Sequence, residues 1–329
     1  MAYKDRLVLY EQIEKDRGTK VLAFVNSDRV GMEAQIAQDC IDLFVDLLDK
    51  IGPTNRISLI LHTNGGATLA AWRLVNLIRT FCDELEVIIP LKALSAGTLI
   101  AIGSDRLVMT KQAALGPIDP SVNNPLNPQI NLGNQMARVP VSVESVLGYL
   151  EAAREQGITD QTHLTTMFSG LSQQIHPLVL GEIFRSRAQI RYLAGKLIQR
   201  QISDLERSKS LIDFLCVESG SHDYTINRRE ATALGLTVEK PSDEFYKQIR
   251  SIHLDYVTEL KLLEPYSQQT VLGTAPTANY EEVRGLVESA EGCYRFISEG
   301  TLTKTQVLTP LGPQPGVTDL RTFEGWRKL

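Results

Sequence analysis

The sequence lacks several features that would point to a specialised environment. Its 329 residues include four cysteines, none in a CxxC pair, so neither a disulfide framework nor a zinc site is expected. No apolar run approaches the roughly 20 residues that cross a bilayer, and the N-terminus has no apolar signal-peptide core. A net charge of -5 gives no general attraction to nucleic acid or to anionic membranes. We therefore expect a cytoplasmic protein with reduced thiols, no membrane span, and no nucleic-acid partner.

The composition is that of a globular protein, with 43% hydrophobic and 22% charged residues. Short apolar runs predict buried strands at 21–27, 56–63, 85–91 and 106–110. Apolar residues at helical spacing predict helices at 34–52, 67–81 and 95–103. Strands and helices alternate with short connections, which is typical of βαβ units and a parallel sheet. The predicted fold class is therefore α/β.

The second half of the chain has a different character. Residues 117–140 are rich in proline and asparagine and predict a long loop beside a cleft. Helices are expected from residue 143 onward, including 176–201 and 229–236. The last 70 or so residues are mixed in character and do not indicate a role.

Two loops lie where a parallel sheet usually carries its functional groups, beyond the carboxyl ends of strands. Asn64-Gly65-Gly66 follows the second predicted strand, and Ser95 follows the third and opens a helix of small and apolar residues. The glycines could form a tight turn or an anion-binding loop. Ser95 could cap the helix or act as a nucleophile beside unpaired main-chain amides. Neither motif decides between its two interpretations when taken alone.

The order of these motifs resembles that of the Clp-fold serine peptidases. The segments HTNGGATLAAWRLVNLIRTF, LKALSAGTLIAIGSDRLVMT and AALGPIDPSV are similar to the serine dehydrogenase proteinase family. That family is distantly related to the Clp protease proteolytic subunit and to signal peptide peptidase A. The resemblance covers roughly residues 20–240. It implies a spiral ββα fold of the Clp and crotonase type in 1–240. Residues 241–329 carry no such resemblance, and we expect them to form a helical C-terminal extension of unknown role.

The resemblance also implies a site and a reaction. Ser95 would attack a peptide carbonyl and form an acyl-enzyme. The N–H groups of Gly65, Gly66 and Ala96 would form the oxyanion hole. No cofactor is indicated, and the spacing of histidines and cysteines matches no metal site. The expected substrates are peptides or unfolded proteins, and the expected assembly is a homo-oligomer.

The sequence offers several candidates for the base that activates Ser95. The family's order of serine, aspartate and histidine favours His222 as the base and Asp119 as the acid that orients it. No histidine stands where the Clp subunit has one, about 25 residues after the serine. Asp223 could replace Asp119 as the orienting acid. The alternative bases are His176, His62 and Lys111.

Two other functions remain open at this point. A crotonase-type enzyme acting on a coenzyme A thioester would use the same two-amide oxyanion hole without a serine. A catalytically inactive oligomer could serve as a scaffold. The small residues around Ser95 and the absence of a paired-glutamate loop favour the serine peptidase over the crotonase-type enzyme, while the missing histidine at the Clp position leaves the scaffold open.

Overall fold

A computed structural model describes residues 3–118, 121–122, 124–131, 136–218, 223–309 and 312–329. The helices are α1 (Tyr3–Arg17), α2 (Ile41–Ile51), α3 (Thr68–Arg79), α4 (Ala96–Ile102), α5 (Val143–Glu155), α6 (Gln161–Gln174), α7 (Pro177–Leu197), α8 (Leu205–Asp213), α9 (Arg228–Ala233), α10 (Asp243–Glu259) and α11 (Gln268–Leu272). The strands are β1 (Lys20–Asn26), β2 (Thr54–His62), β3 (Cys82–Ile89), β4 (Lys92–Ala93), β5 (Arg106–Met109), β6 (Ala114–Leu115), β7 (Ser121–Val122), β8 (Gln129–Asn131), β9 (Met136–Arg138), β10 (Val141–Ser142), β11 (Ile226–Asn227), β12 (Val238–Glu239), β13 (Thr277–Ser289), β14 (Gly292–Thr309) and β15 (Gly312–Lys328).

The chain divides into two compact units. The first comprises Met1–Leu115 and Ile226–Leu329, and the second comprises Gly116–Thr225. Residue 240, where the sequence suggested a boundary, therefore lies inside the first unit. The domain division into 1–240 and 241–329 stays a prediction about this chain.

An eight-stranded sheet organises the first unit in the order β12-β5-β3-β2-β1-β13-β14-β15. The strands from β12 to β1 pair in parallel, whereas β13, β14 and β15 pair in an antiparallel manner. Strands β1 to β3 are apolar over most of their length and are buried on both faces, as parallel strands usually are. The predicted α/β class and its four parallel strands are confirmed.

Helices α1 and α10 cover one face of this sheet. Tyr10 and Ile13 of α1 pack with Ile249 and Tyr256 of α10 against strand residues that include Ile60 of β2. Alternate residues of a strand point to opposite faces, so this contact fixes the direction of the residues that follow Ile60. The side chain of His62 shares the face of Ile60, and that of Thr63 points to the other face.

A buried ion network ties α1 to the C-terminal part of the first unit. Arg6 donates to Glu288 of β13 through Nε at 2.9 Å and Nη2 at 2.5 Å. Its Nη1 lies 2.5 Å from carboxylate oxygens of Asp255 and Glu259 in α10. The guanidinium therefore neutralises carboxylates that the fold removes from water.

Two expectations about secondary structure are wrong in part. The helix predicted over 34–52 begins only at Ile41, because the main chain of Ile36 instead bonds to the glycine loop after β2. The C-terminal extension is not mainly helical. It begins with α10 and α11 but continues as the three longest strands, and β13 pairs with β1 to extend the parallel part of the sheet.

The second unit contains α5 to α8 and the short strands β7 to β10. Its core is apolar and joins Val141, Val143 and Val146 to Val179 and Ile183. The described parts of the predicted loop 117–140 include the antiparallel pair of β8 and β9. The helices expected from residue 143 onward are confirmed, with α7 covering most of the predicted segment 176–201.

Candidate active site

Ser95 occupies the turn between β4 and α4. Its backbone has φ 51° and ψ -115°, a conformation that costs a residue with a Cβ roughly 1–3 kcal/mol. It stands at the N-cap position of α4, yet its side chain makes no capping hydrogen bond. The side chain is half-buried, whereas every residue of α4 is buried as expected. The structure therefore does not support the interpretation of Ser95 as a capping residue.

The glycine loop lies directly beside Ser95. Gly65 has φ 112° and Gly66 has φ 145°, values that L side chains rarely adopt. A Cβ at Gly65 would lie 2.8 Å from the Cβ of Ser95 and 3.1 Å from the nitrogen of Ala96. A Cβ at Gly66 would lie 2.3 Å from the carbonyl oxygen of Ile36. Both positions therefore need glycine, and the fold brings together the four predicted residues Gly65, Gly66, Ser95 and Ala96.

The main-chain amides of these residues differ in their partners. The Gly65 N–H donates to Oγ1 of Thr63 at 3.0 Å. The N–H groups of Gly66 and Ala96 have no hydrogen-bond acceptor among the residues that the structure describes. Ala96 is the first residue of α4, where an amide has no partner within the helix. Two amides beside Ser95 are thus left to receive negative charge.

The predicted base and orienting acid are not located by the structure. Both His222 and Asp119 lie outside the described residues. Among the described residues, no hydrogen bond joins Ser95 to a titratable side chain. The roles of His222 and Asp119 therefore stay predictions.

Two of the alternative bases are engaged elsewhere. His176 caps α7 in the second unit, where its Nδ1 accepts a hydrogen bond from the Leu178 N–H at 3.2 Å. Lys111 in the first unit places its Nζ 4.8 Å from the centre of the Tyr246 ring. Asp223, the alternative acid, is exposed in the second unit.

His62 belongs to a group of titratable side chains on the face of the sheet that α10 covers. Its Nε2 lies 3.6 Å from Oδ1 of Asp28, which also pairs with Lys92. The His62 and His253 rings are 5.4 Å apart, and both residues are buried, at 1% and 2% exposure. Thr63 points the other way and contacts Gly97 in α4, so His62 faces away from the helix that Ser95 opens.

The electrostatics of this group follow from burial. Burial and the charges of His62 and Arg250 lower the pKa of His253 from 6.5 to about 4, with Asp28 opposing them. Burial alone would raise the pKa of Asp28, but the nearby His62 and Lys92 bring it well below its ordinary value. His253 is therefore neutral and Asp28 is ionised at neutral pH.

The described part of the chain contains no group of three or more histidine, cysteine, aspartate or glutamate side chains that could hold a metal ion. Cys40, Cys82, Cys216 and Cys293 are free thiols, as the sequence indicated. None of the helices in the described ranges has the length and apolar character needed to traverse a bilayer.

Residues 3–134 match the family of ClpP-like SDH-type serine proteinases. This match includes the glycine loop and Ser95, and it confirms the resemblance found in the sequence over these residues. It also confirms a ClpP-like α/β fold class and supports a serine peptidase in general terms.

Curated relatives extend further along the chain. The uncharacterized protein MJ0137 of Methanocaldococcus jannaschii is 30% identical over 200 residues, which cover 58% of this chain and 59% of that protein. The uncharacterized protein MJ1495 of the same organism is 26% identical over 245 residues, which cover 71% of each. The match to MJ0137 thus spans about three fifths of that protein's length.

Solved structures show a more distant likeness. A serine-to-alanine mutant of the 1510-N membrane-bound stomatin-specific protease is 16% identical, with a TM-score of 0.39 over 65% of this chain and 79% of that chain. ClpP1 from Listeria monocytogenes is 13% identical, with a TM-score of 0.37 over 71% of this chain and 99% of that chain. Likenesses at this level add nothing to the assignment of residues.

Sequence reasoning missed residues that shape the site. The Thr63 side chain and the main chain of Ile36 both bond to the glycine loop. Thr63 immediately precedes the Asn64-Gly65-Gly66 motif, so its position was visible, but a threonine at a strand end is ordinary. Ile36 carried no local signal, because it acts through its backbone.

Proposed function

We propose that this protein is a serine peptidase that cleaves peptide bonds through an acyl-enzyme at Ser95. The observation that carries the proposal is the turn at Ser95. With its φ of 51°, the half-buried Ser95 lies against the glycine loop and next to the Ala96 amide, and the described residues offer no acceptor for the Gly66 and Ala96 N–H groups. A strained backbone at a residue of this type is a recurrent mark of functional sites. The family match over residues 3–134 supports the same reaction class.

In the proposed reaction, Oγ of Ser95 attacks the carbonyl carbon of the substrate while a base takes the hydroxyl proton. The carbonyl π electrons move to oxygen, and the oxyanion accepts hydrogen bonds from the Gly66 and Ala96 amides. Collapse of the tetrahedral intermediate breaks the C–N bond, and the amine leaves with the proton from the base. Water then attacks the ester by the same route, releasing the acid and restoring the Ser95 hydroxyl.

Gly65 has a different part in this scheme from the one expected from sequence. Its N–H is engaged by Thr63, so Gly66 and Ala96 are the proposed donors to the oxyanion. Gly65 contributes by allowing the loop to approach Ser95, because any side chain there would collide with the serine. The predicted role of Gly65 as a third donor would require its bond to Thr63 to break.

For the base, we propose His222, oriented by Asp119, on the strength of the resemblance. Five single variants distinguish the candidates: H222A, D119A, H176A, D223A and K111A. The proposal expects H222A to abolish acylation of Ser95 and D119A to slow it, while the other three retain it. Acylation of Ser95 at the wild-type level in H222A would exclude His222 as the base. The base would then be the residue whose variant loses acylation.

Labelling with a fluorophosphonate probe tests the central proposal. The expected result is an adduct on Ser95, found by mass spectrometry of the digested protein and absent from S95A. S104A is a matched control, because the Ser104 hydroxyl already bonds to main-chain oxygens of Ala101 and Arg106. An adduct that persists in S95A would refute the assignment. If no adduct forms but the protein turns over a coenzyme A thioester, the result would support the acyl-CoA enzyme. If neither the adduct nor thioester turnover is observed, the result would support the scaffold.

The proposed substrates are peptides or unfolded proteins, and the proposed assembly is a homo-oligomer. Both come from the resemblance, whereas the cytoplasmic location is an expectation from the sequence features alone. Cleavage of an unfolded protein but not of its folded form would support the substrate class. Sedimentation velocity over a range of concentrations would test the assembly, and a monomer at all concentrations would contradict it.

A further inference from the structure

Thr63 occupies a position that connects the two sides of the proposed oxyanion hole. It is fully buried, and its Oγ1 accepts the Gly65 N–H at 3.0 Å. The same hydroxyl donates to Oδ1 of Asn26 at 2.9 Å, and Asn26 is itself 1% exposed. A hydroxyl has one proton, so donation to Asn26 turns an oxygen lone pair toward Gly65. The alternative acceptor, the Gly65 carbonyl, is more distant at 3.4 Å.

The peptide plane after Gly65 is held from another direction. The Ile36 N–H donates to the Gly65 carbonyl at 2.8 Å, and the Ile36 carbonyl accepts from the Ala67 N–H at 2.8 Å. The Gly65 carbonyl and the Gly66 N–H belong to one planar trans peptide and point in opposite directions. Anchoring that carbonyl on Ile36 therefore aims the Gly66 N–H.

These two anchors fix the peptides on either side of the Gly65 α-carbon. Thr63 holds the peptide that carries the Gly65 N–H, and Ile36 holds the peptide that carries the Gly66 N–H. Gly65 has φ 112°, and glycine by itself restricts this angle little. Without the bond to Thr63, rotation at Gly65 would be constrained from one side only, and the amide of Gly66 would be less sharply directed.

The methyl group of Thr63 reaches the other half of the hole. A Cβ at Gly97 would lie 2.5 Å from Cγ2 of Thr63, so the methyl packs against the α4 backbone one residue beyond Ala96. Ala93 stands on the same side, 3.3 Å from that point. One side chain thus bonds to the glycine loop and contacts the helix that supplies the second amide.

We propose that Thr63, with its hydroxyl directed by Asn26, is a positioning residue that sets the direction and spacing of the Gly66 and Ala96 amides. The inference rests on the proposed function, because it concerns the oxyanion hole of the Ser95 reaction. Thr63 does not touch the reacting atoms, and it acts through the loop and the helix. Its loss weakens stabilisation of the transition state without changing how the enzyme first binds its ligand.

The test compares T63V with T63S in the full chain. Valine keeps the methyl contact and removes the hydroxyl, whereas serine keeps the hydroxyl. The rate of fluorophosphonate labelling at increasing probe concentration separates the maximal inactivation rate constant from the half-saturating concentration. Removing an oxyanion donor outright costs about 100- to 1,000-fold. Misdirecting one costs less, and we expect the maximal rate constant of T63V to fall about 10- to 100-fold with its half-saturating concentration unchanged.

In T63S, the retained hydroxyl should restore most of that rate. Circular dichroism establishes that each variant is folded, and N26A carries the same test if T63V does not fold, because it removes the acceptor that directs the hydroxyl. A folded T63V or N26A with the wild-type rate constant would overturn the inference, as would a T63S as slow as T63V. An unlabelled wild-type protein would refute the proposed function itself and the inference with it, so the two failures are distinguishable.

Discussion

Replacing Arg6 by methionine should destabilise the first unit strongly. The guanidinium is 1% exposed and makes close contacts with Glu288, Asp255 and Glu259, whose side chains are at most 8% exposed. Methionine has a similar length but no charge, so the variant removes the cation that three buried carboxylates share, although Glu259 keeps its pair with Arg295. Removing one partner of a buried ion pair costs about 3–5 kcal/mol, and we expect a loss in this range for R6M.

Urea unfolding followed by circular dichroism and tryptophan fluorescence measures this loss. With a slope of about 2 kcal/mol per molar urea, the midpoint should fall by ~2 M. R73M is the matched control, because Arg73 is exposed on α3 and its removal should change stability by no more than about 0.5 kcal/mol. The double variant R6M/E288M should be less destabilised than R6M, since it removes both partners of the bidentate pair. A loss below about 1 kcal/mol in R6M would refute the reasoning.

Three further predictions follow from the same geometry. A chain ended after residue 240 should not fold as an independent peptidase domain, because it lacks β13 and the carboxylates that face Arg6; a cooperative unfolding transition in the shortened chain would contradict this. In G65A, the rate of fluorophosphonate labelling should fall by at least about 100-fold, since the added Cβ would lie 2.8 Å from the Cβ of Ser95. Labelling of G65A at the wild-type rate would exclude the close approach of the glycine loop to Ser95. The neutral His253 should make the protein less stable as pH falls from about 6.5 to 4, because the unfolded chain binds a proton there that the folded chain does not. The contribution is up to about 3 kcal/mol, and urea midpoints measured across this range should depend less on pH in H253L.

The parallel half of the sheet was predictable because its signals are local. Strands β1, β2, β3 and β5 are short apolar runs between turn residues, and each lies within a few residues of its predicted position. The errors arose where pairing is between distant residues. Residues 34–40 are apolar at helical spacing, yet Ile36 satisfies its backbone on the glycine loop, so tertiary hydrogen bonds override the local pattern.

For the C-terminal strands, too, the sequence indicates local structure but not pairing between distant residues. Thr301, Thr303 and Thr305 alternate along β14 and favour a strand, so a local signal was present. What the sequence did not indicate was the partner, because β13 pairs with β1 near the beginning of the chain. Local propensity can indicate that a strand forms, but not which edge it joins.

The residues of the candidate site show the same difference between local signals and contacts distant in sequence. Ser95 and the two glycines were identified because their spacing relative to strands is itself the signal. Thr63 was not, because its role depends on the direction of its side chain and on Asn26, which is 37 residues away in the sequence. The choice of base also depends on which side chains meet in three dimensions, and His62 shows how a residue close to the motif in sequence can face away from it.

The pairing of β13 with β1 determines which strands lie at the edges of the sheet. Without β13, the unpaired backbone groups of β1 could pair with a strand of another molecule. Strands β13, β14 and β15 cover β1, so the edge strand on this side is β15. That strand carries Pro313 and Pro315, which have no N–H to offer a neighbour, and several charged residues follow them. At the opposite border, β12 is only two residues long. Growth of the sheet from one molecule into the next is therefore discouraged at both edges.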